Sequence, residues 1–317
     1  MPPEAGPAGP RAILIAGPTA SGKSALAVEI ACAVGGEIVN ADALQVYDCW
    51  QVLTARPDAR QQAEVAHHLY GMVARRAPWS TGHWLRAVAP CLTAIRERGH
   101  HPIIVGGTGL YFRALIEGLA DIPAIPQAVR QRSEALLAEG GAEALRSALR
   151  TRDPATLSGL DMDNPRRLQR AWEVLEATGR GLADWQAATP PPLLPLEATL
   201  PLLLMPSTDA LAEAIAARFD AMLAAGALAE VEAALTDGWD PTLPSSQALG
   251  AAALVAHCRD GLALSEARER AIVATRQYAK RQRTWFRARM AAWQIVAQAP
   301  AARADLLAKI TRRLTAE

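Results

Sequence analysis

The chain has 317 residues, 50% of them hydrophobic and 21% charged, with a formal net charge of +1. That length can bury one large core, or one core with an inserted subdomain, and the near-neutral balance excludes a globally basic nucleic-acid binder. Cys32, Cys49, Cys91 and Cys258 lie far apart with no C-x-x-C pair, so neither a disulfide framework nor a cysteine zinc site is expected.

Residues 1–10 are rich in Pro and Gly, and the apolar run after them, residues 12–16, is too short for a signal peptide. No stretch approaches the ~18 apolar residues that cross a bilayer, so a cytoplasmic protein without a membrane partner is expected. Residues 12–16 predict a short buried strand, followed by a helix from Ser24 to about Ala33 that closes at Gly35-Gly36. Residues 37–40 predict a weaker second strand, and residues 102–105 a third that runs into Gly106-Gly107-Thr108. Residues 199–205 predict a later strand, pushed toward a sheet edge by Pro201. Strands alternating with helices imply right-handed βαβ units and a doubly wound parallel α/β sheet. Between Asp121 and about Pro195 the strand signals stop. Residues 130–150 and 164–178 predict helices there, and Pro190 to Pro192 with Pro195 mark a linker. The expected division is therefore a core of 1–120 and 196–317 with an all-helical insertion of 121–195. The last third predicts helices over 209–225 and from 265 to about 291.

Gly17-Pro18-Thr19-Ala20-Ser21-Gly22-Lys23-Ser24 fits the phosphate-loop pattern G-x-x-x-x-G-K-[ST] between a predicted strand and a predicted helix. Such glycines let backbone amides approach phosphate oxygens at a helix N-terminus. Lys23 would reach the outermost phosphate, and the Ser24 hydroxyl would bind Mg²⁺. Residues 103–105 end without the carboxylate that a nucleotide hydrolase places there. The nearest carboxylate after a core strand is Asp42, placed either as a general base at the carboxyl edge of the sheet or as a cap of the next helix.

Asn164 and Pro165 open a helix whose first turn carries Arg166, Arg167 and Arg170. Cations there oppose the helix dipole by ~0.3–1 kcal/mol each. Phosphate contact and an ordinary solvated face are both open. Arg276, Lys280, Arg283 and Arg287 follow the spacing of one helix face, with Tyr278, Trp285 and Phe286 interleaved. That stripe suits an RNA backbone or a charged outer face over a core. Arg218 stands alone on an apolar helix, with a salt bridge as its ordinary explanation. His67-His68, His83, His100-His101 and His257 show no metal-ligand spacing.

Several stretches besides the phosphate loop stand in a fixed order: Asp42-Ala43-Leu44-Gln45-Val46-Tyr47, Thr54-Ala55-Arg56-Pro57, His67-His68-Leu69 and Gly106-Gly107-Thr108-Gly109-Leu110-Tyr111. Further along come Asn164-Pro165-Arg166-Arg167-Leu168-Gln169-Arg170-Ala171, then Arg218-Phe219-Asp220-Ala221-Met222-Leu223. The last is Thr275-Arg276-Gln277-Tyr278-Ala279-Lys280-Arg281-Gln282 with Thr284-Trp285-Phe286-Arg287. On these stretches the sequence resembles the tRNA dimethylallyltransferase (isopentenyltransferase) family. The resemblance implies a P-loop NTPase-like core with an inserted helical subdomain that grips the tRNA anticodon stem-loop. It implies transfer of a dimethylallyl group from dimethylallyl diphosphate to N6 of the adenosine 3′ of the anticodon, with Mg²⁺; a monomer is expected. Asp42 would take the amine proton, with Lys23, Thr19 and Arg218 also catalytic. Residues 17–24 and Arg218 would hold the diphosphate. Asp42, Ala43, Leu44, Gln45, Thr108, Arg130, Arg166, Arg167, Leu168, Gln169, Arg170, Arg276 and Lys280 would meet tRNA. Three positions depart from the family pattern: Ala43 stands where Ser is usual, Leu53 where Gly is usual, and Gly250-Ala251-Ala252-Ala253 where Gly-Tyr-basic-acidic is usual. A small-molecule P-loop kinase is the alternative function, and a non-catalytic RNA binder the third.

Overall fold

The short apolar runs become strands of one sheet, because a segment covered on both faces needs no polar alternation. They are β1 (Ala12–Ala16), β2 (Gly36–Asn40), β3 (His67–His68), β4 (His101–Gly106), β5 (Thr199–Leu204) and β6 (Gln294–Val296). Their order is β3-β2-β4-β1-β5-β6, and every pairing is parallel. The computed structural model describes residues 12–297 and 299–315. All six strands belong to the larger of two compact units, Met1–Ile116 with Leu193–Glu317; the smaller is Glu117–Pro192.

Alternate residues of each strand point to opposite faces, and two cores result. Ala12, Leu14, Ala16, Val39 and Ile104 pack on Trp84, Val88, Leu92 and Ile95 of the helix Thr81–Glu97, with Phe112 and Phe286. Ile13, Ile15, Ile38, Ile103 and Val105 pack on Leu26, Ala27, Ile30 and Ala31 of the helix Lys23–Val34, and on Leu306 and Ile310 of Pro300–Thr315. Helices on both faces of a parallel sheet make the doubly wound arrangement. Its ligand edge is the carboxyl end of the strands, where the loops after β1, β2, β4 and β5 emerge.

β5 is an interior strand, contrary to the edge position that Pro201 suggests: β1 pairs along one side and β6 along the other. The proline is tolerated because β6 covers β5 only from Leu202 onward, so at Pro201 one side has no neighbour to serve. The strands β3 and β6 have only two and three residues, too short for an apolar period to announce them. Among the described residues no helix is long and apolar enough to cross a membrane.

The smaller unit has its own core of Val129, Leu145, Leu149, Leu168, Val174 and Leu175. The helix Gln127–Arg152 bends at Gly141, whose φ of 61° breaks the helical run. It packs on Pro165–Thr178, a helix with Pro in its first turn and Asn164 as N-cap, accepting from the Arg167 amide at 3.3 Å.

Candidate active site

The chain leaves β1 through Gly17, which fits only because it lacks a side chain: a Cβ there would stand 2.7 Å from Ser21 Oγ and 3.0 Å from the Leu204 carbonyl. Ala20 (φ 62°) and Gly22 (φ 82°) adopt the left-handed conformation, which costs an alanine about 1–2 kcal/mol. Left-handed residues within such a turn aim successive amides to one side and form an anion-binding concavity. The helix Lys23–Val34 has no side-chain N-cap, so its first amides are left for a ligand. Ser21 Oγ is buried against the space that a Gly17 side chain would need and has no hydrogen-bond partner among the described residues.

The loop forms the polar end of a cleft enclosing about 730 Å³, open solvent included, within the usual size of ligand sites. Thr19, Lys23, Ser24, Asp42 and Arg218 supply the polar lining; Leu44, Leu53, Ile215, Phe219, Met222 and Leu249 make an apolar wall. Lys23 and Arg218 are both half-buried. Desolvation of its ammonium pulls Lys23 from 10.5 to about 8, with Asp42 opposing the fall and Arg218 adding to it. Desolvation likewise lowers Arg218, again opposed by Asp42. Neither cation forms an ion pair among the described residues: Lys23 donates only to the Pro18 carbonyl, at 3.3 Å, and Arg218 lacks the salt bridge that would explain it structurally. Two desolvated cations facing one carboxylate leave a net positive cavity, suited to an anion.

Asp42 follows β2 and caps no helix, for the next one is capped by Asp58. Its backbone N–H donates to Asn40 Oδ1 at 2.8 Å, while Asn40 Nδ2 donates to the carbonyls of Asp42 (3.1 Å) and Leu69 (3.0 Å). Asp42 Oδ1 accepts from the Leu44 amide at 3.0 Å; Oδ2 accepts no hydrogen bond among the described residues. Thr108 Oγ1 accepts from the Ala43 amide at 2.9 Å, tying the turn after β4 to the residue beside Asp42. That turn is crowded, since a Cβ at Gly106 would overlap the Ala41 backbone and one at Gly107 would meet Gln282 Nε2.

The loop bearing Leu53 and Thr54 is fixed by Glu230, which sequence reading missed. The Glu230 carboxylate accepts from the amides of Gln51 (2.7 Å), Val52 (2.7 Å) and Leu53 (2.9 Å). Gln45 Nε2 donates to the carbonyls of Thr54 and Ala55, both at 2.9 Å. Leu53 is 3% exposed, so its departure from the family pattern adds apolar surface to the cleft. Gly250 supports the same wall: a Cβ there would meet Phe219 Cε2 at 2.7 Å.

A family model described as IPP transferase matches residues 45–289. The chain belongs to the IPP transferase family. A second model, Isopentenyl transferase, matches residues 10–70. The tRNA dimethylallyltransferase of Cereibacter sphaeroides (strain ATCC 17025 / ATH 2.4.3) is 58% identical over 284 residues, 90% of this chain and 95% of that protein. The tRNA dimethylallyltransferase of Dinoroseobacter shibae is 57% identical over 281 residues, 89% of this chain and 93% of its own. The full-length tRNA isopentenylpyrophosphate transferase of Bacillus halodurans superposes with a TM-score of 0.67 at 28% identity, covering 95% of this chain and 96% of that one. A eukaryotic dimethylallyltransferase acting on tRNA gives 0.74 at 26% identity, covering 87% and 69%.

In this IPP transferase the basic helix is Leu264–Arg289, and its two faces differ. Thr275 and Tyr278 line the cleft, and Ala279, Gln282 and Phe286 are buried. Arg276, Lys280 and Arg287 are exposed and form no ion pair among the described residues. Arg283 instead donates to the Pro206 carbonyl. The aromatics do not interleave this stripe as surface: Phe286 is fully buried, and Trp285 is half-buried against the space that a Gly109 side chain would need.

In the smaller unit, Arg130, Arg166, Arg167 and Arg170 are exposed, whereas Leu168 and Gln169 turn inward. Leu168 is 0% exposed in the core, and Gln169 Nε2 donates to Ser133 Oγ at 2.9 Å. Arg132 and Arg152 pair with Glu176, and Arg146 and Arg150 with Glu143. Arg130, Arg166, Arg167 and Arg170 have no carboxylate partner among the described residues.

The donor set fits Mg²⁺ sparingly. No group of three or more His, Cys, Asp or Glu that could hold a metal occurs among the described residues, but the Ser24 hydroxyl and the Asp42 carboxylate line the same cleft. Mg²⁺ is habitually held by one or two protein oxygens together with substrate phosphates and water.

Proposed function

We propose that this chain transfers the dimethylallyl group of dimethylallyl diphosphate to N6 of the adenosine 3′ of the anticodon in tRNA, releasing diphosphate. The observation that carries this reading is that one cleft is lined both by the phosphate loop with Lys23 and Arg218, neither ion-paired among the described residues, and by the apolar side chains of Leu44, Leu53, Ile215, Phe219, Met222 and Leu249. A short prenyl diphosphate has that same polarity. The kinase alternative has no observation in its favour.

The phosphates lie in the loop 17–24, with the loop amides and Lys23 around the terminal group and Thr19 and Arg218 at its sides. These donors stabilise the charge that accumulates as the bond between the allylic carbon and the diphosphate oxygen breaks. Mg²⁺ held by Ser24 would supply further neutralisation of the leaving group. The new bond joins the allylic carbon to N6, and the proton that N6 sheds passes to Asp42 Oδ2. The adenosine leaves its stack to reach the cleft, at a cost of a few kcal/mol. Ala43, Leu44, Gln45 and Thr108, around Asp42, position the incoming nucleotide; Arg276 and Lys280, with Arg130, Arg166, Arg167 and Arg170, hold the RNA backbone. The enzyme is read as a cytoplasmic monomer.

Incubation with unmodified tRNA and prenyl-labelled dimethylallyl diphosphate tests this. Label entering tRNA, with no phosphoryl transfer from ATP to small molecules, is the expected result; ATP-dependent phosphorylation without label transfer would sink the reading.

A further inference from the structure

Gln282 is buried, 7% exposed, on the helix that carries Arg276 and Lys280. Its Oε1 accepts from the Thr19 amide at 2.9 Å, and its Nε2 donates to the Gly107 carbonyl at 2.8 Å. One partner is an obligate donor and the other an obligate acceptor, so the amide has only one workable orientation. The contacts continue on both sides. Thr19 lies in the phosphate loop and lines the cleft; Thr108, next to Gly107, receives the Ala43 amide beside Asp42. A Cβ at Gly107 would also stand 3.3 Å from Asp42 Oδ2. A single side chain therefore joins the anion-binding loop to the turn that abuts the carboxylate.

We propose that Gln282 is a positioning residue that sets the distance between the diphosphate cradle and Asp42, coupling both to the basic helix. The proposal rests on the prenyl-transfer reading above. Two loops approach here with backbone groups of opposite polarity, and the one side-chain amide satisfies both. A neutral amide does so without adding charge beside the cradle. Without it the Thr19 amide and Gly107 carbonyl lose their partners, and Thr19 is released from its place in the cradle. Displacements of about 1 Å at a reacting centre lower rates on the order of 100-fold.

Two variants test the role. Gln282→Met keeps length and burial but drops both hydrogen bonds. Gln282→Glu keeps the acceptor; as a carboxylate it cannot donate to Gly107, while as a neutral acid it can. Single-turnover prenyl transfer, inorganic diphosphate binding, tRNA binding and thermal melting are measured on both variants and the wild type. Gln282→Met is expected to bind tRNA normally but to bind diphosphate more weakly and transfer on the order of 10–100-fold more slowly. For Gln282→Glu, the ratio of its rate to the wild-type rate at each pH is expected to rise as pH falls and the acid regains its proton.

A folded Gln282→Met protein as fast as wild type overturns the proposal, and so does a Gln282→Glu ratio that does not change with pH. If neither variant folds, Gln282 is only a core clamp and the positioning role is likewise overturned. A wild type without transfer activity fails the functional reading instead, and diphosphate binding by the three proteins still reports on the clamp.

Discussion

Replacing Lys23 by Met should make the ligand-free protein more stable while abolishing transfer. The ammonium is desolvated in the folded state, where its pKa is about 8 against an ordinary 10.5. Each unit of that gap is worth about 1.4 kcal/mol, so the folded state carries a penalty of about 3 kcal/mol for holding the charge. Because the residue is half-buried rather than sealed, solvent screening reduces the expected gain to about 1–2 kcal/mol. The sign follows from linkage. Below pH 8 both folded and unfolded Lys23 are charged and the full penalty applies. Between pH 8 and 10.5 the folded state sheds its proton first, so the wild type recovers stability and the advantage of Lys23→Met shrinks. Urea denaturation of both proteins at pH 7 and pH 10, with prenyl transfer measured alongside, reads both effects. A variant less stable than wild type at pH 7, or a stability gap that ignores pH, would refute the argument that Lys23 is kept charged in that cleft at a cost to stability.

Asp42→Asn should leave both substrates bound but slow the chemical step ~10²–10⁴-fold, the usual worth of a positioned base; an unchanged single-turnover rate would remove Asp42 from that role. Glu230→Gln should raise KM for dimethylallyl diphosphate and cost about 2–3 kcal/mol of stability, since the amides of Gln51, Val52 and Leu53 lose a charged acceptor. Unchanged KM in calorimetrically confirmed folded protein would show that the loop does not need the clamp. Neutralising Arg166, Arg167 and Arg170 together should weaken tRNA binding and flatten its salt dependence by ~0.7–0.9 log–log units per lost phosphate contact. Diphosphate affinity should be untouched, and an unchanged salt slope would mark this helix start as a solvated face.

Much of this site can be read directly in the sequence because its chemistry is local. The loop 17–24 combines a strand end, glycines and a helix start within eight residues, and Asp42 and Thr108 each follow an apolar strand. Arg166, Arg167 and Arg170 near the start of Pro165–Thr178 also stand out in the sequence as an electrostatic anomaly. What stayed hidden depends on distant partners. Glu230 is an unremarkable acid in the first turn of Ala227–Thr236, and nothing nearby signals that three amides from another loop converge on it. Gln282 reads as one polar residue among basic ones, and its two hydrogen bonds appear only when Thr19 and Gly107 arrive beside it. Burial also separated residues that spacing had grouped: Leu168, Gln169 and Phe286 carry the right neighbours but face inward. Pro201 misled for a related reason, since a residue's side of the sheet depends on how far the neighbouring strand extends.

If one cleft holds diphosphate and delivers its prenyl group to a single exocyclic nitrogen, only adenosine can accept it. Nucleoside analysis tests this on two tRNAs treated with enzyme and dimethylallyl diphosphate, one with adenosine 3′ of the anticodon and one with guanosine there. N6-dimethylallyladenosine from the first tRNA alone, together with an equal yield of diphosphate, is the predicted result. Equal modification of both tRNAs, or diphosphate release without any modified nucleoside, would contradict it.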